Sequence, residues 1–310
     1  MTNDFDISKL NYYEQEPEEC KFFDVVADIT HRCNMTCKNC YLPNRTFPDM
    51  EFEKYKAFIK RLKRPVMIRL VGAEPTLHPQ LIDFINTTFE HGHNAILVTN
   101  GLRLSSANFV NKIKDTGLKH LYISLNGIDN DDWYQEIDEM RCADKKIKAV
   151  KNTKNDFNLN FGIIIVKGIN EEVPARAHDL IKREAIPDVT LRFKNVGQLG
   201  RYQKEKDENL KMKDMVKLIG SQLGYTEDYI WSHYGKPHRY SKVVEPGTIE
   251  FPLDPNNKDR YKGQWVKITD WDTDNEQGIP DPGSIRRGRI TQEWKVAPFY
   301  EHAKINENGY

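Results

Sequence analysis

Between Phe22 and Lys194 the sequence switches repeatedly from a strand period to a helix period, and this alternation limits the fold more than any other feature. Phe22 to Ile29 (FFDVVADI) reads as a strand. Glu51 to Lys63 then carries Phe52, Tyr55, Phe58, Ile59 and Leu62 at helical spacing. The run Val66 to Val71 (VMIRLV) is a second strand, and Gln80 to Glu90 places Leu81, Ile82, Ile85 and Phe89 on one helical face. Strands at Asn94 to Thr99, His120 to Leu125 and Leu159 to Val166 follow, each with a helix behind it: Ser105 to Thr116, Ala143 to Asn152 and Val173 to Glu184. Val189 to Lys194 is a sixth strand. Such a series predicts an α/β fold, a parallel sheet with right-handed crossovers. The strands are nearly continuous apolar runs, so the sheet is covered on at least one face.

In folds of this class the functional site gathers at the carboxyl ends of the strands. The first strand runs into three cysteines, and the second into Gly72-Ala73-Glu74-Pro75. The third runs into Thr99-Asn100-Gly101, the fourth into Ser124-Leu125-Asn126-Gly127 and the fifth into Lys167-Gly168-Ile169-Asn170. The sixth contains Arg192 and runs into Asn195-Val196-Gly197. Turns use Gly and Asn wherever they occur, so the information lies in the set and not in any one member.

From Arg201 onward the alternation fails. Residues 205–222 read as a helix, and Thr248 to Phe251 with Gln264 to Thr269 as a hairpin of short strands. The chain therefore divides into an N-terminal extension (1–21), a core (22–200) and an irregular appendage (201–310) that caps the core and is too turn-rich to stand alone. The 46 basic side chains are matched by 46 acidic ones, so the broad basic field of a nucleic-acid-binding protein is absent. No run approaches the roughly 18–20 apolar residues of a membrane helix, and the polar, acidic first residues match no targeting signal. A cytoplasmic protein is expected, in which thiols stay reduced and serve as ligands or catalysts.

Cys33, Cys37 and Cys40 stand within eight residues, while Cys20 and Cys142 are isolated. A CxxxCxxC run suits a soft metal centre. Zinc would need a fourth ligand, and His31, two residues before Cys33, would strain the loop to supply it. An iron–sulfur cubane held by three cysteines would leave one iron open. Asp270, Asp272 and Asp274 alternate like a calcium loop, but Asn275 and Asp281 stand where that loop needs Gly and Glu.

With CxxxCxxC after the first strand of a βα series, residues 22–200 resemble the radical S-adenosylmethionine (SAM) superfamily. The resemblance implies a partial (β/α)6 barrel. It implies a [4Fe-4S] cluster on Cys33, Cys37 and Cys40 whose open iron chelates SAM, and reductive cleavage of SAM to a 5′-deoxyadenosyl radical that takes hydrogen from an organic substrate. It also implies a flavodoxin- or ferredoxin-type electron donor. Gly72, Ala73 and Glu74 match the stretch that meets the methionine ammonium, with Ala73 in place of a second Gly and Glu74 as the charged partner. Thr99 and Asn100 match a TNG turn. Ser124, Asn126 and Arg192 fall where ribose and carboxylate are held. The family often has an aromatic residue before the third cysteine. Here it is Asn39, so the backbone around Asn39 and Tyr41 and the fifth-strand residues Ile163 to Val166 are the expected adenine neighbours, Val166 foremost.

Cys142 would be a hydrogen-atom donor, as in some epimerases of the family, or a small buried apolar residue. The tail holds Trp231, His233, Tyr234, Trp265, Trp271, Trp294, Phe299, Tyr300 and His302, which either pack it or close the barrel over substrate. Arg286, Arg287 and Arg289 would hold a carboxylate or phosphate of that substrate. Residues 201–310 contain no cysteine, so no auxiliary cluster is bound there by cysteine. A ribosomally made peptide and a small metabolite, such as a nucleotide or sugar derivative, are the two expected substrate classes. A non-catalytic iron–sulfur module is the alternative from another class.

Overall fold

Parallel pairing begins with β1 (Asp24–Asp28), β2 (Met67–Val71) and β3 (Asn94–Thr99) and continues through β4 (His120–Ser124), β5 (Asn158–Ile164) and β6 (Val189–Lys194). The structure, a computed structural model, describes residues 12–40, 42, 45, 47–197, 209–240, 244–245, 247–271, 287–299 and 302. Helices α1 (Phe52–Arg61), α2 (Leu81–Glu90), α3 (Ala107–Asp115), α4 (Asp131–Asp138), α5 (Ala143–Thr153) and α6 (Val173–Arg183) make the crossovers. Of these, α4 was not expected from the sequence. Its start is set by Asn130, whose side chain accepts from the Asp132 and Trp133 amides.

One face of the sheet and the inner faces of the helices form the core. Ala27, Leu70, Leu97, Leu121, Phe161 and Leu191 are fully buried under Tyr55, Ile59, Phe84, Ile85, Val110, Ala149 and Leu180. Each large side chain buried there contributes about 1.5–3 kcal/mol. The other face differs from expectation. It carries Arg69, Tyr122, Arg192 and Lys194, so the strands alternate in character with period two.

Residues beyond 201 add α7 (Met212–Leu223), α8 (Glu227–Trp231), β7 (Thr248–Pro252), β8 (Gln264–Thr269), β9 (Arg287–Ile290) and β10 (Val296–Pro298). The expected hairpin is present as the antiparallel pair β7–β8. These strands join the main sheet and form no separate layer on it. β8 runs parallel to β6, β9 runs parallel to β1, and β10 returns antiparallel to β9. The sheet order is β10-β9-β1-β2-β3-β4-β5-β6-β8-β7. Its outer strands, β10 and β7, do not pair with each other among the described residues, so the sheet is a partial barrel. Gln15 bridges Val296 through two backbone hydrogen bonds of 2.9 Å, which fastens the N-terminal segment to β10. No helix among the described residues is long and apolar enough to cross a membrane.

Burial pushes the imidazoles of His93, His120 and His302 below their usual value, for His302 to about 4, with Arg289 adding to the effect there. These rings fold in the neutral form and take up protons on unfolding. Their contribution is therefore complete above a pH of about 6.5 and is lost as the pH falls toward the folded values. Urea unfolding followed between about pH 7 and pH 5 should show a steady fall in stability. A flat profile would mean that these rings are solvated.

Candidate functional site

At the carboxyl ends of the strands lies a cavity of about 280 Å³. The segment after β1 enters it first. Thr30 fixes this entry: its hydroxyl donates to Asp49 at 2.5 Å, and its carbonyl accepts from the Ala73 amide at 2.8 Å. Gly72 sits at φ 141°, and a Cβ there would lie 2.2 Å from the Thr30 carbonyl oxygen. Only glycine lets the β1 and β2 ends approach so closely. The following loop carries Cys33, Cys37 and Cys40, all of which line the cavity. Lys38 anchors the loop through its amide to the Ile137 carbonyl and through its ammonium to Glu136 at 2.8 Å. Arg45 closes it, donating to the Met35 carbonyl at 2.6 Å and toward the Cys40 sulfur at 3.4 Å.

The donor chemistry fits a cluster. Burial pushes the Cys33 and Cys37 thiols up, so a thiolate there needs a cation to hold it. No group of three or more His, Cys, Asp or Glu among the described residues is gathered to bind a single metal ion. A zinc site requires such convergence, whereas in a cubane each thiolate binds its own iron. His31, the residue nearest in sequence that zinc could have used as a fourth ligand, packs edge-on against Phe47 and is not on the cavity wall.

The other rim motifs divide into wall and support. Asn39, Gly72, Ala73, Thr99, Asn100, Ser124 and Asn126 line the cavity. Glu74, expected to meet an ammonium, does not. It is fully buried; Oε1 accepts from the Thr76 amide at 3.1 Å, the Thr76 hydroxyl at 2.5 Å and the Thr99 hydroxyl at 2.7 Å, and Oε2 accepts from the Asn100 amide at 2.7 Å. The carboxylate is a strut between the β2 and β3 ends. Of the fifth-strand residues expected beside adenine, Ile164 lines the cavity, whereas Asn170 accepts from the Val166 amide at 2.6 Å and Val166 turns into an apolar cluster. Arg192 is not among the lining residues. It donates to Asn160 at 3.2 Å and lies over the Tyr122 ring. Cys142 is buried behind the cysteine loop with Met35, Leu102 and Tyr134, packed near Cys33 and Cys37, and is not itself among the lining residues. Tyr41 and Arg286 lie outside the described residues, as do Tyr300, Asp272, Asp274, Asn275 and Asp281.

The arginine trio separates. Arg289 is buried and paired with Asp28 at 2.6 Å, so it is spent within the sheet. Arg287 lines the cavity. Two other wall residues, Lys146 and Asp138, were not anticipated. Lys146 is fully buried and donates to the carbonyls of Asn100 at 2.6 Å and Ser124 at 2.9 Å, so one ammonium ties the β3 and β4 ends. Asp138 accepts from Asn126 at 2.9 Å. Asn195 accepts from the Trp271 amide at 2.6 Å and donates to Asp270 at 2.6 Å, which seats Trp271 over Gly197. Trp271 and Phe299 bring the tail into the cavity. Arg69, Tyr122 and Lys194 could have been found as the polar residues that interrupt otherwise apolar strands.

Residues 28–181 match the Radical SAM superfamily. This interval carries the cysteine loop and the rims of β2 to β5. The chain belongs to the radical SAM superfamily. Members of this superfamily are enzymes that use a [4Fe-4S] cluster and SAM. Fe-coproporphyrin III synthase of Methanosarcina barkeri is 26% identical over 274 residues, covering 80% of this chain and 66% of that protein. The GTP 3′,8-cyclase of Aliarcobacter butzleri is 28% identical over 157 residues, 47% of each chain. The chain thus spans between about half and two thirds of the length of these curated relatives. Among solved structures, Streptococcus suis SuiB bound to the precursor peptide SuiA superposes with a TM-score of 0.62 at 15% identity, covering 92% of this chain and 61% of that one. The structure of anSMEcpe with bound AdoMet gives 0.51 at 16% identity, covering 68% and 60%. At such identities the likeness concerns the fold.

The strut is open to test in this radical SAM chain. Glu74→Gln keeps the shape but sets an amide NH2 against donors, which should cost about 2–4 kcal/mol in the metal-free protein. Thermal unfolding without cluster or SAM reads this directly. An unchanged midpoint, with loss confined to SAM binding, would return Glu74 to the role of ligand.

Proposed function

We propose that the chain is a radical SAM enzyme that removes a hydrogen atom from an organic substrate held in the cavity between the cysteine loop and the tail. The observation that carries this reading is the shared wall. Cys33, Cys37 and Cys40, the rim residues Gly72, Asn100 and Ser124, and the tail residues Trp271, Arg287 and Phe299 all line one cavity. Cys33, Cys37 and Cys40 would hold the cluster, which when loaded supplies the electron that cleaves SAM to a 5′-deoxyadenosyl radical able to take hydrogen from a nearby carbon.

The chain's own residues bind and aim. The Gly72 and Ala73 backbone offers the close approach an amino acid moiety needs, and Asn100, Ser124 and Asn126 offer polar contacts to ribose and carboxylate. Glu74 and Lys146 hold these rims in register and touch nothing in the cavity through a free charge. Trp271 and Phe299 cover the substrate side and limit access of solvent-borne reductants, thiols and O2, which would otherwise quench or divert a carbon radical.

The preferred substrate is one side chain of a ribosomally made peptide. Trp271, Arg287 and Phe299 of the tail line the cavity together with the cysteine loop, so one side chain of a longer chain can enter between them. The fold likeness to SuiB, solved with a precursor peptide, supports the same reading. The names of the coproporphyrin synthase and the GTP cyclase favour a small metabolite as the second reading.

Anaerobic reconstitution tests the proposal. The native chain should retain iron and sulfide, and with dithionite and SAM it should release 5′-deoxyadenosine, more so with a short peptide encoded beside its gene. Replacement of Cys33, Cys37 or Cys40 by Ala should abolish both. A fully loaded native protein that yields no 5′-deoxyadenosine with any candidate substrate would favour a non-catalytic iron–sulfur module.

A further inference from the structure

The concave face of the sheet carries more cations than it neutralises. Asp24 is shared by two arginines, at 2.6 Å from Arg69 and 3.4 Å from Arg287. Lys194 and Arg192 have no carboxylate partner among the described residues, and the Arg192 Nε, though buried, has no hydrogen-bond partner. Carboxylates nearby are already engaged: Asp28 with Arg289, Glu250 with Arg239 and Glu245 with Lys267. Asp138 accepts from Asn126 through Oδ1, and the cation that acts on it is Lys146, not one of these.

Uncompensated buried cations are costly, and the groups show it. Burial together with repulsion from Arg287 and Arg192 outweighs Asp24 and lowers Arg69 to about 10. Burial and Arg192 lower Lys194. Burial alone would raise the Tyr122 hydroxyl, yet Lys194 and Arg192 hold it below its usual value. Every one of these effects would be relieved by an anion.

The sequence also leaves room for one. Arg69, Tyr122, Lys194 and Arg287 face the cavity together. Gly162 stands beside Tyr122, and a Cβ there would fall 2.1 Å from the Tyr122 Oη, so this glycine makes space for the phenol. Aromatic walls flank the cations: the Lys194 ammonium is 4.4 Å from the Trp271 ring centroid, and the Arg287 guanidinium 5.9 Å from that of Phe299. A dry aromatic flank strengthens an ionic hydrogen bond.

Resting on the active-site reading above, we propose that Lys194, Arg287 and Tyr122 form a subsite for an oxyanion of the substrate, a carboxylate or a phosphate, distinct from the place of SAM. The substrate group that reacts would then lie one short linker from an acidic terminus, side chain or ester. Arg69 positions the subsite by taking the shorter contact with Asp24, 2.6 Å against 3.4 Å from Arg287, and the outer nitrogens of the Arg287 fork can bind two oxygens at once.

The test uses the reconstituted, SAM-saturated protein and titration calorimetry with glutarate, pyrophosphate and the neutral glutaramide. One of the two anions should bind while glutaramide does not, and which anion it is identifies carboxylate or phosphate. In Lys194→Gln, and independently in the more exposed Arg287→Gln, its Kd should rise by about tenfold or more. The proposal is overturned by glutaramide binding as well as the anions, by a Kd within about twofold of native in both variants, by SAM competing with the anion, or by no anion binding up to about 10 mM. Circular dichroism confirms that each variant is folded. Iron content and SAM binding of the native protein test the active-site reading separately, since either can fail while the anion still binds.

Discussion

A parallel sheet imposes one constraint from which the rest of this molecule follows: every strand must end at the same rim. Each crossover helix returns the chain to the amino end of the next strand, so the cysteine loop, the Gly72–Ala73 turn and the Asn100, Ser124 and Asn126 ends are gathered without any of them being adjacent in sequence. Gathering alone is imprecise. The rim is made rigid by two buried ions of opposite sign. Glu74 locks the β2 end to the β3 end through four donors, and Lys146 locks the β3 end to the β4 end through two carbonyls. Both are satisfied by hydrogen bonds, which is the condition for a buried charge to be tolerated.

The strands, the cysteine loop and the rim motifs were legible in the sequence because each is a local pattern. Period-two and period-3.6 runs mark elements, and Gly or Asn marks the turn after them. What was not legible depends on partners distant in the chain. Glu74 sits in a motif that suggests a ligand, and only the fold shows that Thr76, Thr99 and Asn100 donate to its oxygens. Arg287 and Arg289 look alike in sequence, but successive inward positions on β9 put one at the cavity and the other against Asp28. The tail was taken for an appendage because its strands are short. Its place in the sheet comes from pairing with β1 and β6, which no local pattern encodes.

The polar concave face is the other lesson of the pleat. The outer face of the strands is apolar enough that whole strands read as apolar, and an inward-facing Arg69 on β2, Tyr122 on β4 or Arg192 and Lys194 on β6 is easily passed over. Closed around a cavity, those single residues face one another and outnumber every local acid. Arg69, Tyr122, Arg192, Lys194 and Arg287, scattered over the sequence, would have no meaning as a list; on one concave surface they define an electrostatic environment.

The pairing of β9 with β1 also bears on how the chain is made. Asp24 lies opposite Arg287, so one edge of the first strand waits for a partner that is synthesised 263 residues later. At about 5–20 residues per second that interval lasts roughly 13–50 seconds. Throughout it the emerging barrel carries an open apolar strand edge, the kind of surface on which nascent chains pair wrongly. Completion of the fold is therefore set by the arrival of the last segment of the described sheet, and a chain stalled before residue 287 would hold most of its helices and a sheet still open at its first strand.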